Sequence, residues 1–255
     1  MDAGDAGIWD GRTLRLWSLG RADLPPRVMP LPEGPDGARP EFSETLLAGT
    51  GTAPRQLPCT ALPEALSASN IPPLAQDNPR TVTRGEEVTM AGFIAGTPKF
   101  DGILCLPGPQ STLWAHVSAE EIVSMRRFLT GTMLRATLPE HITFAETDRF
   151  LEILSDTMSR PENVALRLSE ARTRADLREF TEAEAHASMT AALIGAELAA
   201  TRPYWLGQMV ALIGTEVQRA PYRAALSSQF VPMTEAEADP LTLRGFTLAR
   251  KRLSA

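Results

Sequence analysis

Lysine is almost missing from this chain. Only Lys99 and Lys251 are lysines among 255 residues, so nearly all positive charge is arginine. An anion bound here therefore meets a planar guanidinium fork rather than a mobile ammonium. Cysteine and histidine are equally scarce: Cys59, Cys105, His116, His141 and His186. None has zinc-ligand spacing. Cys105 sits inside an apolar run and reads as a small buried hydrophobe, not a nucleophile. No apolar stretch reaches the ~20 residues that span a bilayer. The N-terminus is acidic and lacks the apolar core of a secretory signal. No Gly-x-Ser-x-Gly elbow occurs, which leaves an α/β-hydrolase without support. The net charge is -6, and this argues against general nucleic-acid or anionic-membrane binding. The expectation is a cytoplasmic enzyme or binding protein, with neither nucleic acid nor membrane as partner.

What is present suits a soluble globular protein. Hydrophobic residues make up 43% and charged residues 22%, enough for one large domain or two moderate ones. Proline punctuates the first third. Pro25, Pro26, Pro30, Pro32, Pro35 and Pro40 exclude a regular helix or central strand over residues 20–45. A second Pro-rich connection runs from Pro54 to Pro79. Before them, Ile8 to Leu19 reads as a hairpin turning at Asp10-Gly11, for which a plain structural role is the simpler account. Between them, Leu46 to Thr52 ends in Gly49-Thr50-Gly51, a weak anion-cradle signal.

The densest stretch is Thr83 to Met133. Glu86 and Glu87 precede the apolar run Val88 to Ala95, as acids do at a helix N-terminus. The sharper account makes them, with Arg84, the lining of a polar cleft. Gly102 to Leu106 and Thr112 to Val117 read as strands around the loop Pro107 to Ser111, whose N–H groups could hold phosphate oxygens. Ile122 to Leu129 is either a helix capped by Ser118-x-x-Glu121 or a third strand. From Leu138 onward the pattern is helical, with runs at Thr147 to Met158 and Val164 to Phe180. A further helix opens at the Thr181/Glu184 capping signal and contains Gly195, for which close packing is the expected reason. Gln208 to Ile213, then Gly214-Thr215 and a helix, follows the local grammar of nucleotide-binding α/β units, shared by many other αβ connections. Phe230 to Pro232 reads as a last edge strand, and Thr234 to Leu253 as a helix interrupted near Pro240. The two similar strand-loop-strand beginnings, Ile8 to Leu19 and Ile103 to Val117, suggest an internal duplication.

Over residues 83–255 the order of motifs resembles the bacterial 2-dehydro-3-deoxygalactonokinase family of the actin-hexokinase superfamily. Thr83-Arg84-Gly85-Glu86-Glu87 matches its Met-Arg-Gly-Glu-Glu. Leu104 to Gly108 through Trp114 matches Leu-Pro-Gly-Thr-His-x-Lys-Trp. Phe128 to Gly131 matches Phe-Met-Thr-Gly, and Leu193 to Glu197 matches Leu-Ile-Gly-Ala-Glu. Ile213-Gly214 and Tyr222 match the late Gly and Tyr. The joint order is more specific than any single motif.

The resemblance implies an α/β fold with two ribonuclease-H-like, actin/hexokinase-type lobes around a central cleft. The lobes would be residues 1–100, shortened and on the sugar-acid side, and 101–255 on the nucleotide side. Ile122 to Leu129 would then be a strand. It implies transfer of the ATP γ-phosphate to 2-dehydro-3-deoxy-D-galactonate in galactonate catabolism, with Mg²⁺ bridging phosphate oxygens. Asp10, Arg84, Glu86 and Glu87 would be catalytic, with Asp10 also on the metal. Gly11, Thr13, Gly108, Ser111, Gly214 and Thr215 would hold the nucleotide, and Gly49, Gly51 and Arg84 the sugar acid. The expected partners are these small molecules, with a homodimer as the assembly considered. The chain departs from the family in three places. The opening Ile-Asp-Trp-Gly is Ile8-Trp9-Asp10-Gly11, which moves the Asp by one strand position. The first Gly-rich loop is reduced to Ala48 to Thr52. In the second loop Pro109-Gln110-Ser111-Thr112 replaces Thr-His-x-Lys. Two function classes therefore stand: an active sugar-acid kinase, and a non-catalytic kinase-fold protein that binds a sugar acid or nucleotide.

Overall fold

The computed structural model describes residues 4–10, 12–21, 23–31, 45–49, 53–137 and 144–253. Gly11 and Gly51, two expected ligand contacts, lie outside the described residues. In chain order the elements begin with β1 (Asp5–Trp9), β2 (Thr13–Ser18), β3 (Arg27–Pro30), β4 (Leu46–Ala48), β5 (Arg55–Gln56), β6 (Cys59–Thr60), β7 (Leu74–Gln76), β8 (Thr81–Val82) and α1 (Glu86–Gly96). Then come β9 (Gly102–Pro107), β10 (Thr112–Ser118), β11 (Glu121–Phe128), α2 (Thr130–Thr137), α3 (Asp148–Ser159), α4 (Val164–Asp176) and α5 (Glu182–Ala200). The chain closes with α6 (Arg202–Trp205), β12 (Val210–Ile213), α7 (Glu216–Ser228), β13 (Met233–Ala236) and α8 (Ala238–Leu253). The fold is mixed α/β. Among the described residues no helix is long and apolar enough to cross a membrane.

Two compact units divide the chain. One holds Met1–Asp101, His116–Met125 and Glu237–Ala255. The other holds Gly102–Ala115 and Arg126–Ala236. The last helix, α8, lies in the first unit, where it packs along α1.

In the first unit the main sheet runs β3-β2-β1-β4. β1 is antiparallel to β2 and parallel to β4, with Ile8 opposite Ala48. Leu16 and Trp17 are neighbours on β2 and both buried, which is why the hydrophobic alternation there is imperfect. β3 lies at the sheet edge and is exposed throughout, a position that tolerates its proline. It was hidden in the Pro-rich connection, as were the short strands β5 to β7 in the next one. α1 and α8 cross where each carries a glycine. A Cβ on Gly92 would stand 1.9 Å from the Leu241 carbonyl oxygen, and one on Gly245 1.9 Å from the Val88 carbonyl oxygen. Beside this contact the hydroxyls of Thr89 and Thr242 share a buried 2.7 Å hydrogen bond.

The stretch after Ser118 is strand, not helix. Ala119 and Glu120 have φ of 50° and 66°, the pair of left-handed residues that a tight two-residue hairpin turn requires. The Ser118 hydroxyl donates to Asp101 at 2.7 Å instead of capping a helix. The base of β11 then pairs with β6.

In the second unit the strands run β13-β12-β9-β10-β11. β12 is parallel to both β9 and β13. Every residue of β9 and β12 is buried, as expected of central parallel strands covered on both faces. Trp114, Phe150, Ile194, Leu198, Trp205 and Leu226 pack in the core around them. α5 starts at the expected capping box, with Glu184 accepting from the Thr181 N–H at 2.8 Å and Thr181 accepting from the Glu184 N–H at 3.2 Å. Gly195 does mark a close contact: a Cβ there would lie 2.8 Å from the Leu154 carbonyl oxygen of α3.

Two expectations near the C-terminus are corrected. Phe230 to Pro232 is not a strand. Phe230 is 94% exposed with φ 56°, a left-handed residue that ends α7. The strand is β13, three residues later. It takes Thr234, so the final helix begins only at Ala238 and runs unbroken. Pro240 falls in its first turn, where no N–H partner is lost.

The order β3-β2-β1-β4 in one unit repeats as β11-β10-β9-β12 in the other. Each begins with a hairpin whose first strand gains a parallel neighbour.

Gly245→Ala places a methyl group against backbone and so forces α1 and α8 apart. We expect a loss of about 1–3 kcal/mol, read as a lower midpoint in urea unfolding. An unchanged midpoint would mean that the helices do not cross this closely.

Candidate active site

Parallel pairing brings the carboxyl ends of neighbouring strands to one edge, where open α/β sheets hold ligands. In the first unit the residues after β1 and β4 are Asp10 and Gly49. Asp10 Oδ1 accepts from the N–H of Arg12 at 2.9 Å and of Thr13 at 2.7 Å, closing its own hairpin as an Asx turn does. Gly49 has φ 82°, and a Cβ on it would lie 2.1 Å from the Trp9 carbonyl oxygen and 3.5 Å from that of Arg84. Only glycine fits there, and its backbone joins the Asp10 turn to the Arg84 loop. Gly85, with φ 108°, is pressed against Ile8, at 2.4 Å from its Cγ2 for a built Cβ.

The α1 helix starts at this point, and both acids of its first turn fold back on the backbone. Glu86 Oε2 accepts from the Arg84 N–H at 2.6 Å, and Glu87 Oε2 from the Gly85 N–H at 3.0 Å. These bonds satisfy donors that a helix start leaves open. The Arg84 side chain is exposed, whereas Glu87 is fully buried and its Oε1 has no hydrogen-bond partner among the described residues. Burial pushes the Glu87 carboxyl up to about 7, against the pull of the nearby Thr83 hydroxyl. The first unit therefore gathers Asp10, Thr13, Gly49, Arg84, Glu86 and Glu87.

The second unit gathers Gly108, Ser111, Gly214 and Thr215. They follow β9 and β12, whose parallel register pairs Leu212 with Cys105. The Gly108 N–H donates to the Ser111 carbonyl at 3.0 Å, so it is committed inside the loop. The Ser111 hydroxyl accepts from Arg127. Gln110 offers its carbonyl to the Thr132 N–H at 2.8 Å, at the start of α2. Gly214 backs onto the Pro107 carbonyl, 3.2 Å from a built Cβ. Exposed Thr215 precedes α7, and its N–H donates to Gln218 Oε1 at 3.0 Å. Gly108 and Thr215 line one pocket of ≈ 380 Å³, walled also by α2 and α5.

Beneath the pocket lies a node that the sequence reading left without a role. Glu197 is buried on α5 and accepts three hydrogen bonds: from Trp114 Nε1 at 2.7 Å, from the Tyr222 hydroxyl at 2.9 Å and from the Thr130 hydroxyl. Tyr222 in turn bonds Thr112. Thr112, Thr130 and Tyr222 all line the pocket, so one carboxyl ties three of its walls together. Burial raises this carboxyl to about 7, opposed by its three donors. Its signal was an acid at the end of an apolar helical run. Among the described residues no group of three or more His, Cys, Asp or Glu could hold a metal by itself.

Comparison with known proteins places the chain beside one family. Residues 37–249 match the family described as 2-keto-3-deoxy-galactonokinase. A protein of Rhizobium meliloti (strain 1021) named Probable 2-dehydro-3-deoxygalactonokinase DgoK1 is 30% identical over 237 residues, covering 86% of this chain and 77% of its own. The crystal structure of a Sinorhizobium meliloti protein described as a 2-dehydro-3-deoxygalactonokinase superposes with a TM-score of 0.76 at 21% identity. That likeness covers 97% of this chain and 98% of the other, and it establishes the shared fold.

Glu87 and Glu197 set a pH dependence. Both rise from 4.5 to about 7 on folding. Between these values the folded chain holds protons that the unfolded chain has released. Their contribution to stability is therefore greatest at the acid end of this window, falls as pH rises through it, and levels off above about 7. Glu197→Gln and Glu87→Gln should each flatten this decline in melting temperature. Slopes equal to that of the wild type would contradict the buried, proton-holding carboxyls.

Proposed function

The chain belongs to the 2-keto-3-deoxy-galactonokinase family of sugar kinases, and from that premise we propose that it transfers the γ-phosphate of ATP to 2-dehydro-3-deoxy-D-galactonate. The observation that carries this reading is the pocket at the carboxyl ends of β9 and β12, with Thr215 and Gln218 from the start of α7 in its lining. Helix N-termini and turns of this kind favour phosphate oxygens. The repeated strand order supports two ribonuclease-H-like lobes, the first shortened, and membership of the family supports a role in D-galactonate breakdown in the cytoplasm.

In this reading Gly108, Ser111, Gly214 and Thr215 hold the nucleotide. Gly49 and Arg84 hold the sugar acid, with the exposed Arg84 guanidinium matched to its carboxylate. Glu86 and Glu87 keep the Arg84 loop in place through the backbone bonds at residues 84 and 85. Magnesium ordinarily takes one or two protein carboxylates plus substrate phosphates and waters. A single oriented carboxylate, Asp10, fits that pattern, and its two backbone donors fix its direction. When bound there, the ion would supply charge neutralisation on the phosphates.

Asp10 has two separable roles, and Asp10→Asn divides them. Asparagine keeps an oxygen acceptor for the Arg12 and Thr13 amides and so keeps the hairpin. It loses the negative charge. In an assay that couples ADP release to the sugar acid, we expect turnover to fall at least about 100-fold, with little change in melting temperature. Asp10→Ala should lose both. Wild-type turnover retained by Asp10→Asn would remove Asp10 from the chemistry. No turnover by folded wild type would leave a non-catalytic binder.

A further inference from the structure

Among the described residues, two that line the second unit's pocket each carry a buried polar atom without a hydrogen-bond partner: His186 at Nδ1 and Thr190 at Oγ1. Thr190 is only 2% exposed. The residues are four apart on α5, so they share one face. A buried hydroxyl left unpaired costs stability, and here it belongs to a residue that lines a cavity. Burial lowers the His186 pKa, so its neutral ring offers one donor and one acceptor.

The rest of the pocket limits what could bond these atoms. Leu134, Phe144 and Ile194 supply apolar wall, and Gly108 and Thr215 stand at the loop end. Its ≈ 380 Å³ lies in the range of small-molecule sites. A sugar acid needs a polar partner for every hydroxyl and for its carboxylate, and would set several of them against Pro109, Leu134, Phe144, Ile194 and Pro221. A flat heteroaromatic ring with hydrogen-bonding atoms only along its edge, joined to an anionic tail, fits both ends. We propose that His186 and Thr190 form the hydrogen-bonding edge that reads the base of a purine nucleotide in this pocket, with its phosphates toward Gly108 and Thr215. The inference rests on the kinase reading and adds the residues that select the base.

Thr190→Val tests it, because valine keeps the shape and removes the hydroxyl. Titration calorimetry with ADP and with inorganic pyrophosphate separates the base from the tail. The variant should bind ADP about five- to tenfold more weakly, bind pyrophosphate as the wild type does, and melt no lower than the wild type without ligand. Thr190→Ser should restore ADP affinity, and His186→Phe should weaken ADP but not pyrophosphate. Unchanged ADP affinity in Thr190→Val and His186→Phe, or equal losses for ADP and pyrophosphate, would overturn the inference. If the wild type still phosphorylates the sugar acid in that case, the kinase reading stands and only the base-reading role is lost. A wild type that binds no ADP overturns both.

Discussion

The structure depends on a parallel strand placed beside the first strand of a hairpin, once in each unit. β1 takes β4, and β9 takes β12. Parallel neighbours cannot be joined by a tight turn, so their carboxyl ends emerge together and their connections are long. That geometry sets Asp10 beside Gly49 and the Pro107–Ser111 loop beside Gly214. The placement of Asp10, Gly49, Gly108 and Gly214 follows from these two pairings, and a register slip of one residue would turn each away.

Buried carboxyls hold the surroundings of both sites. Glu87 braces the turn that carries Arg84, and Glu197 gathers Trp114, Thr130 and Tyr222 beneath the pocket. Each carboxyl is desolvated enough to titrate near neutrality. A core built only for stability would use apolar groups here, since burying an acid is costly unless its bonds are satisfied. Glu197 is fully engaged, whereas Glu87 retains one unpartnered oxygen.

Much of this was legible in the sequence, and the gaps have physical causes. The Asp-Gly hairpin, the capping box at Thr181, the buried strands and the helix after Glu86 follow local rules and form as those rules require. β11 was ambiguous because its turn uses Ala119 and Glu120 in left-handed conformations, without the Asn or Gly that normally announces one. β3 and β5 to β7 are short and sit among prolines, so no periodicity could expose them. The boundary at Phe230 failed because a helix ended on a left-handed aromatic residue instead of a glycine. The site residues next to glycines were visible as motifs. Glu197, His186 and Thr190 were not assigned roles, because their significance lies in missing or converging partners that only a fold can bring together.

The central claim is that the turns closing the second unit's parallel pair grip the nucleotide's phosphate tail. Amide hydrogen exchange of the intact chain, with and without ADP, tests it most directly. The account predicts slower exchange on binding in segments 107–111 and 214–218 together. Binding that leaves both segments unprotected, or protects one without the other, would contradict it.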